Sequence, residues 1–159
     1  MRAVLSIGSN MDNREALLRS AYDYFQPELV VASSIYATPP WGPVSQNDFL
    51  NAILIIDTDR TPRQLLDAAH EVENAADRRR EVRWGPRTLD VDIVHCLIDG
   101  IEVRSDDPVL TLPHPYAHER AFVLVPWLEA DPSATLGDVA VADLVGGMYT
   151  AEVKKVGEF

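Results

Sequence analysis

The sequence predicts an α+β sandwich with a ferredoxin-like βαββαβ core, an antiparallel sheet and C-terminal additions. Three observations lead there. Apolar periodicities alternate in the order β-α-β-β-α-β over residues 3–96. The strand-like runs are short, β-branched and bounded by turn residues. A complete helix-start signature precedes the second helix.

Residues 3–7, AVLSI, form the first strand, and Gly8-Ser9-Asn10 is expected to close it as a turn. Residues 13–25 place Leu17, Leu18, Ala21 and Phe25 at helical spacing. Leu29 to Tyr36 is expected to be a second strand, ending at Thr38-Pro39-Pro40. Residues 41–48, WGPVSQND, read as a loop, and 49–57, FLNAILIID, as the third strand. Thr61-Pro62-Arg63-Gln64 announces a helix running to about Asp77. Thr61 caps it, proline suits the first helical position, and Gln64 completes a capping box. Leu89 to Cys96 is the fourth strand. A hairpin over IEVRSDDPVL and a helix around His118 to Ala130 would decorate the sheet, with both core helices on one face. Beyond residue 130 the pattern is weak.

At 159 residues the chain is expected to form a single domain over 1–159. With 47% hydrophobic and 25% charged residues it has the mix of a soluble globular protein. A formal net charge of −11 argues against nucleic-acid and anionic-membrane partners. Cys96 is the one cysteine, which fits a reducing compartment. The N-terminus lacks a signal-peptide apolar region, and no apolar run approaches the ~20 residues of a membrane span. A cytoplasmic monomer acting on small molecules is the expectation.

The stretch that carries chemistry is RWGPRTLDVDI, residues 83–93. Strand alternation puts Asp90, Asp92 and Val94 on one face, with Leu89, Val91, Ile93 and His95 on the other. Two carboxylates with origins roughly 7 Å apart repel unless a cation lies between them. Oxygen-only ligands suit Mg²⁺, which takes one or two protein carboxylates and completes its shell with water and phosphate. A bare D-x-D is more often a solvent-facing pair, but five of the 12 arginines lie just before it, between Arg78 and Arg87. Arg78, Arg79 and Arg80 are also what a helix C-terminus attracts. Arg83 and Arg87, which bracket Trp84-Gly85-Pro86, are not explained that way. Guanidinium forks bind phosphate oxygens, so the combination points to a Mg-nucleotide site. The only lysines are Lys154 and Lys155, and no P-loop is present. His114 and His118 are spaced for zinc, but Pro115 lies between them and no third ligand is apparent. Gly8-Ser9-Asn10 could offer backbone N–H groups, although a tight turn is the commoner use. These residues do not specify how many phosphates move, or to what acceptor.

RWGPRTLDVDI resembles the signature of the 6-hydroxymethyl-7,8-dihydropterin pyrophosphokinase family. SIGSN near the start, YATPPWGP at 36–43, FLNA at 49–52 and PHPYAHERAFVLVPW at 113–127 match that family in order and spacing. The resemblance implies transfer of diphosphate from ATP to the pterin hydroxymethyl group in folate biosynthesis, with release of AMP. It implies two Mg²⁺ ions on Asp90 and Asp92, and a catalytic set that adds Arg78, Arg80, Trp84 and Arg87. For ATP it implies Arg78, Arg87, Ile93, Thr111, His114, Tyr116 and Arg120. For the pterin it implies stacking between Phe49 and Phe122. Thr38, Pro39, Trp41, Asn51, Glu73 and Asp90 would read the rest of the ring. Phe49 stands where tyrosine is common in the family, and Pro115 where some members carry an aromatic residue. Three other readings fit the residues alone: an RNA-binding module, a metal-dependent phosphohydrolase and a nucleotide sensor.

Overall fold

The computed structural model describes residues 1–10, 13–39, 48–77 and 89–159. Its strands are β1 (Arg2–Ser9), β2 (Leu29–Ala32), β3 (Ile35–Thr38), β4 (Phe49–Asp57), β5 (Asp90–Ile98), β6 (Ile101–Glu102), β7 (Ser105–Asp107), β8 (Leu110–Leu112), β9 (Thr135–Leu136), β10 (Val139–Ala140) and β11 (Lys154–Gly157). The helices are α1 (Arg14–Phe25), α2 (Pro62–Asp77), α3 (Ala121–Ala130) and α4 (Val141–Gly146). The main sheet runs β11-β3-β4-β1-β5-β6, with β2 also paired to β4, and every pairing is antiparallel. Taking β2 and β3 as one split strand, the central order is the ferredoxin-like one expected from the sequence.

Helix α2 starts as its sequence requires. The Gln64 N–H donates to Thr61 Oγ1 at 3.2 Å, and the Thr61 N–H donates to Gln64 Oε1 at 2.9 Å, a reciprocal capping box. Its apolar stripe, Leu65, Ala68, Ala69, Val72 and Ala76, packs with Leu17, Leu18, Ala21 and Phe25 of α1. Both helices cover the sheet face formed by Leu5, Ile7, Leu54, Ile56, Val91, Ile93 and Cys96. Helix α3 lies on the opposite face, where Val123, Leu124 and Trp127 meet Val4, Ile53, Ile55 and Val94. The late helix is thus a third layer.

Three expectations are corrected. Gly8 and Ser9 are not a turn but the last two residues of β1, paired with Asn51 and Leu50 of β4. The expected strand from Leu29 to Tyr36 is two strands broken at Ser33-Ser34. There Ser33 Oγ accepts the Ile53 N–H at 2.8 Å and Glu129 takes the Ser34 N–H at 2.5 Å. Side chains thus replace ladder partners at the break. His95 does not share a face with Val91 and Ile93. The pairing shifts register between Val4 and Leu5, which stand opposite His95 and Ile93. This bulge leaves Val94 and His95 on the same side, and His95 packs 5.2 Å from the Trp127 ring.

Candidate active site

Strand pairing lines up side chains across four strands on the α3 face. Tyr36 of β3, Asn51 of β4, Gly8 of β1 and Asp90 of β5 stand in one row, each directly opposite the next. Ile53, Ser6 and Asp92 form the adjacent row. Adjacent strands are ~4.8 Å apart, so Asn51 and Asp90 flank Gly8 at about 10 Å from each other. Asp90 is exposed and Asp92 half-buried. Asn51 is buried, and its Nδ2 donates to Thr38 Oγ1 at 3.0 Å. Phe49 lies opposite Thr38, half-buried on this same face, and Pro39 follows, exposed.

The outer edge of β5 is held by groups from outside the sheet. Glu73, buried on α2, accepts the Val91 N–H through Oε2 at 3.0 Å, between the two aspartates. The backbone N–H of His114 donates to the Val94 carbonyl at 2.8 Å, and that of Val103 to the Cys96 carbonyl at 2.9 Å. The first of these bonds brings His114 from the β8–α3 connection to the carboxylates.

Burial lowers the His114 pKa; the Asp92 charge raises it and the Arg120 charge lowers it. The imidazole thus senses both groups. The Tyr116 N–H donates to His114 Nδ1 at 3.2 Å, so the neutral ring carries its proton on Nε2. The Arg120 guanidinium lies over two rings, 5.6 Å from that of Tyr116 and 5.5 Å from that of Phe122. A cationic and a stacking group therefore occupy the N-terminal end of α3, on the sheet face that carries the aspartates.

Two residues expected on the ATP side have their side chains engaged elsewhere. The Ile93 side chain is buried beneath α1 and α2, on the other face of the sheet. The Thr111 hydroxyl donates to the Asp107 carbonyl at 3.0 Å within the β7–β8 hairpin. Trp41, Arg78, Arg80, Trp84 and Arg87 lie outside the described residues.

Sequence reasoning missed Ser6 as a site-lining position, and gave Gly8 a turn and its backbone N–H rather than a gap between side chains, because Gly-Ser-Asn is turn chemistry. A β-carbon on Gly8 would lie 2.9 Å from Asn51 Oδ1. It also missed the pair behind the aspartates: His95 Nε2 lies 2.9 Å from Glu102 Oε2, which accepts the Gly137 N–H at 2.8 Å. Arg104 Nε is 3.3 Å from the other oxygen, Oε1, without hydrogen-bond geometry. A charged side chain so placed on β6 had no local signal.

The donor set fits Mg²⁺. Both candidate ligands are carboxylates, and among the described residues no group of three or more His, Cys, Asp or Glu side chains is placed to enclose an ion. Mg²⁺ takes few protein ligands when phosphate oxygens complete its shell.

Fold and site together define an α+β sandwich with a carboxylate face suited to phosphate chemistry. The family model for 7,8-dihydro-6-hydroxymethylpterin-pyrophosphokinase matches residues 4–132. The 2-amino-4-hydroxy-6-hydroxymethyldihydropteridine pyrophosphokinase of Mycobacterium tuberculosis is 50% identical over 141 residues, 85% of this chain and 75% of that protein. The protein of the same name from Methylorubrum extorquens is 38% identical over 159 residues, 98% of each chain. In solved structures, the wild-type HPPK-DHPS protein of Plasmodium falciparum with pterin and p-hydroxybenzoate superposes with a TM-score of 0.62 at 13% identity. That likeness concerns the fold, and covers 91% of this chain but 42% of that longer one. The chain belongs to the 7,8-dihydro-6-hydroxymethylpterin-pyrophosphokinase family, and so to the transferases of folate biosynthesis.

Proposed function

We propose that this chain transfers the terminal diphosphate of ATP to the hydroxymethyl oxygen of 6-hydroxymethyl-7,8-dihydropterin, releasing AMP, with Asp90 and Asp92 as the carboxylates for two Mg²⁺ ions. One observation carries the reading: the row Asn51–Gly8–Asp90. It sets an amide and a carboxylate on either side of a position with no side chain, a flat bed for a ring that presents hydrogen-bonding edges. Phe122 from α3 and Phe49 from β4 supply aromatic surface for stacking. Thr38 orients Asn51, and Glu73 fixes the segment of β5 that bears both aspartates. Pro39, exposed after Thr38, adds to the pterin side, and Trp41 is assigned to the pterin on the resemblance of YATPPWGP.

Bound at the two carboxylates, Mg²⁺ supplies charge neutralisation for the phosphates. On the chain's side, His114 presents Nε2–H as a donor, and Arg120 adds positive charge that the nearby rings shield from water. Arg78, Arg80, Trp84 and Arg87 are assigned to phosphate binding and closure on the family resemblance, the last two within RWGPRTLDVDI itself. Tyr116 takes part on the ATP side through its contacts with His114 and Arg120, and Thr111 and Ile93 through the segments they occupy. The pterin hydroxyl oxygen attacks the β-phosphorus in line and its proton is released to solvent, while the bond from the β-phosphorus to the α–β bridging oxygen breaks and AMP leaves with that oxygen. The described residues around Asp90 offer no strong general base, so rate enhancement comes from positioning and electrostatics.

The chain acts as one catalytic unit on small molecules, as a monomer in the cytoplasm. No helix among the described residues is long and apolar enough to cross a membrane. The test is ³¹P NMR of the protein with Mg-ATP and 6-hydroxymethyl-7,8-dihydropterin. AMP and a diphosphate ester, formed only with the pterin present, are expected. ADP or inorganic phosphate in their place would overturn the reading.

A further inference from the structure

Beyond residue 132, where the family match ends, the chain forms a hairpin, a short helix and then β11, which returns to the edge of the main sheet. Lys154, Lys155 and Gly157 pair with Ala37, Tyr36 and Ile35 of β3. This strand holds the chain's only two lysines. Lys155 Nζ lies 2.7 Å from Glu129 Oε2, near the end of α3. The same carboxylate accepts the Ser34 N–H on Oε1 at 2.5 Å and the Ser34 hydroxyl on Oε2 at 2.9 Å. The Tyr36 hydroxyl is a further donor to it. Tyr36 is buried, and burial and then Glu129 push its phenol up to about 12. Burial alone would raise the Glu129 pKa, but its bonds to Lys155, Ser34 and Tyr36 bring it below the ordinary value.

One side chain on α3 thus collects donors from the β2–β3 break, from β3 and from β11. What these elements carry gives the junction meaning. Tyr36 stands opposite Asn51, and β3 ends at Thr38, which holds the Asn51 amide. Phe122 lies seven residues before Glu129 on α3, two turns or about 10 Å along the helix and close to the same face. The apolar contacts of Val123, Leu124 and Trp127 bury α3 on the sheet, but such burial has no direction of its own. Charge-assisted bonds with fixed directions select one position.

We propose that Glu129, locked by Lys155 of β11, is a positioning residue for the pterin side of the reaction: it sets the separation between Phe122 on α3 and the Thr38–Asn51 pair on the sheet. The inference rests on the pterin reading above. It gives the C-terminal strand a part in substrate recognition although the residues it pairs with, Ala37, Tyr36 and Ile35, are not among those assigned to the pterin.

The test compares Glu129→Gln and Lys155→Met with the unaltered full-length chain. Pterin affinity is read by fluorescence quenching, affinity for a non-hydrolysable Mg-ATP analogue by calorimetry, and folding by thermal melting. Loss of one charge-assisted bond is expected to weaken pterin binding about tenfold, with nucleotide affinity within about twofold. In Glu129→Gln the Tyr36 phenol, followed by its absorbance, should titrate below about 12, since a neighbouring negative charge is gone. If Glu129→Gln does not fold, Lys155→Met still decides the question, because Lys155 is exposed and its removal leaves no buried charge alone. Pterin and nucleotide affinities that fall together, or pterin affinity unchanged in the folded variants, would overturn the proposal. An unaltered chain that binds no pterin would instead overturn the functional reading, and this inference with it.

Discussion

Asn51 Oδ1 lies 2.9 Å from the point a β-carbon on Gly8 would occupy. Those two residues face each other across β1 and β4, so the absence of a side chain at Gly8 gives the Asn51 amide its present orientation toward Thr38. Backbone freedom is not the reason for glycine here; space is. Gly8→Ala should push the amide away from Thr38 and roughen the bed beside Asp90. An overpacking cost of about 1–3 kcal/mol is expected in stability, with pterin binding weakened about tenfold or more. Calorimetry with the pterin checks this; unchanged affinity would show that the row is not the ring's seat.

Asp90 is exposed and Asp92 half-buried, so neither carboxylate is part of the core. Asp90→Ala and Asp92→Ala should each fold and yet lose about 10²–10³ or more in kcat, the scale of removing one electrostatic contact at the reacting centre. Steady-state kinetics at saturating Mg-ATP is the measurement. Near-normal turnover in both variants would end the metal assignment.

The titration of His114 reports on the arrangement without substrate. Burial lowers its pKa, Asp92 raises it and Arg120 lowers it. In protein stripped of metal, Asp92→Asn should therefore lower the value further and Arg120→Met should raise it. NMR of the imidazole across pH 4–8 reads both signs. Because the folded value lies below that of the unfolded chain, the associated stability is present above about pH 6.5 and is lost as pH falls through the folded value. Opposite shifts would place Asp92 and Arg120 away from the ring.

Glu102 supports both His95 Nε2 and the Gly137 N–H. Glu102→Ala leaves the buried His95 ring nitrogen and the half-buried Gly137 N–H without that partner, at a cost of about 1–3 kcal/mol for the buried imidazole group. Urea denaturation should show a lowered midpoint at unchanged slope. If the midpoint is unchanged, the pair does not brace β5 beyond its bulge.

Much of this was legible in local patterns. The Thr61–Gln64 box and the α1 and α2 stripes depend on residues three or four apart, and those spacings specify helices. The antiparallel core followed from the order of strands and helices, because few topologies connect such an order with short links. Asp90 and Asp92 were recognisable because a strand that buries its alternate residues has no core use for carboxylates on the other face.

What the sequence by itself determined is therefore the set of elements, the two carboxylates and the family motifs. Tertiary structure decided which groups meet. Gly8 matters only because Asn51 arrives opposite it from β4, and His114 reaches Asp92 through a backbone bond to Val94. A bulge set by pairing with β1 moved His95 to the aspartate face, while Ile93 stayed beneath the helices. Glu129 and Lys155 met only when β11 returned to the sheet. Local propensity extends over a few residues, whereas pairing register and layer packing are fixed by contacts between distant segments, and a shift of one residue turns a side chain to the other face.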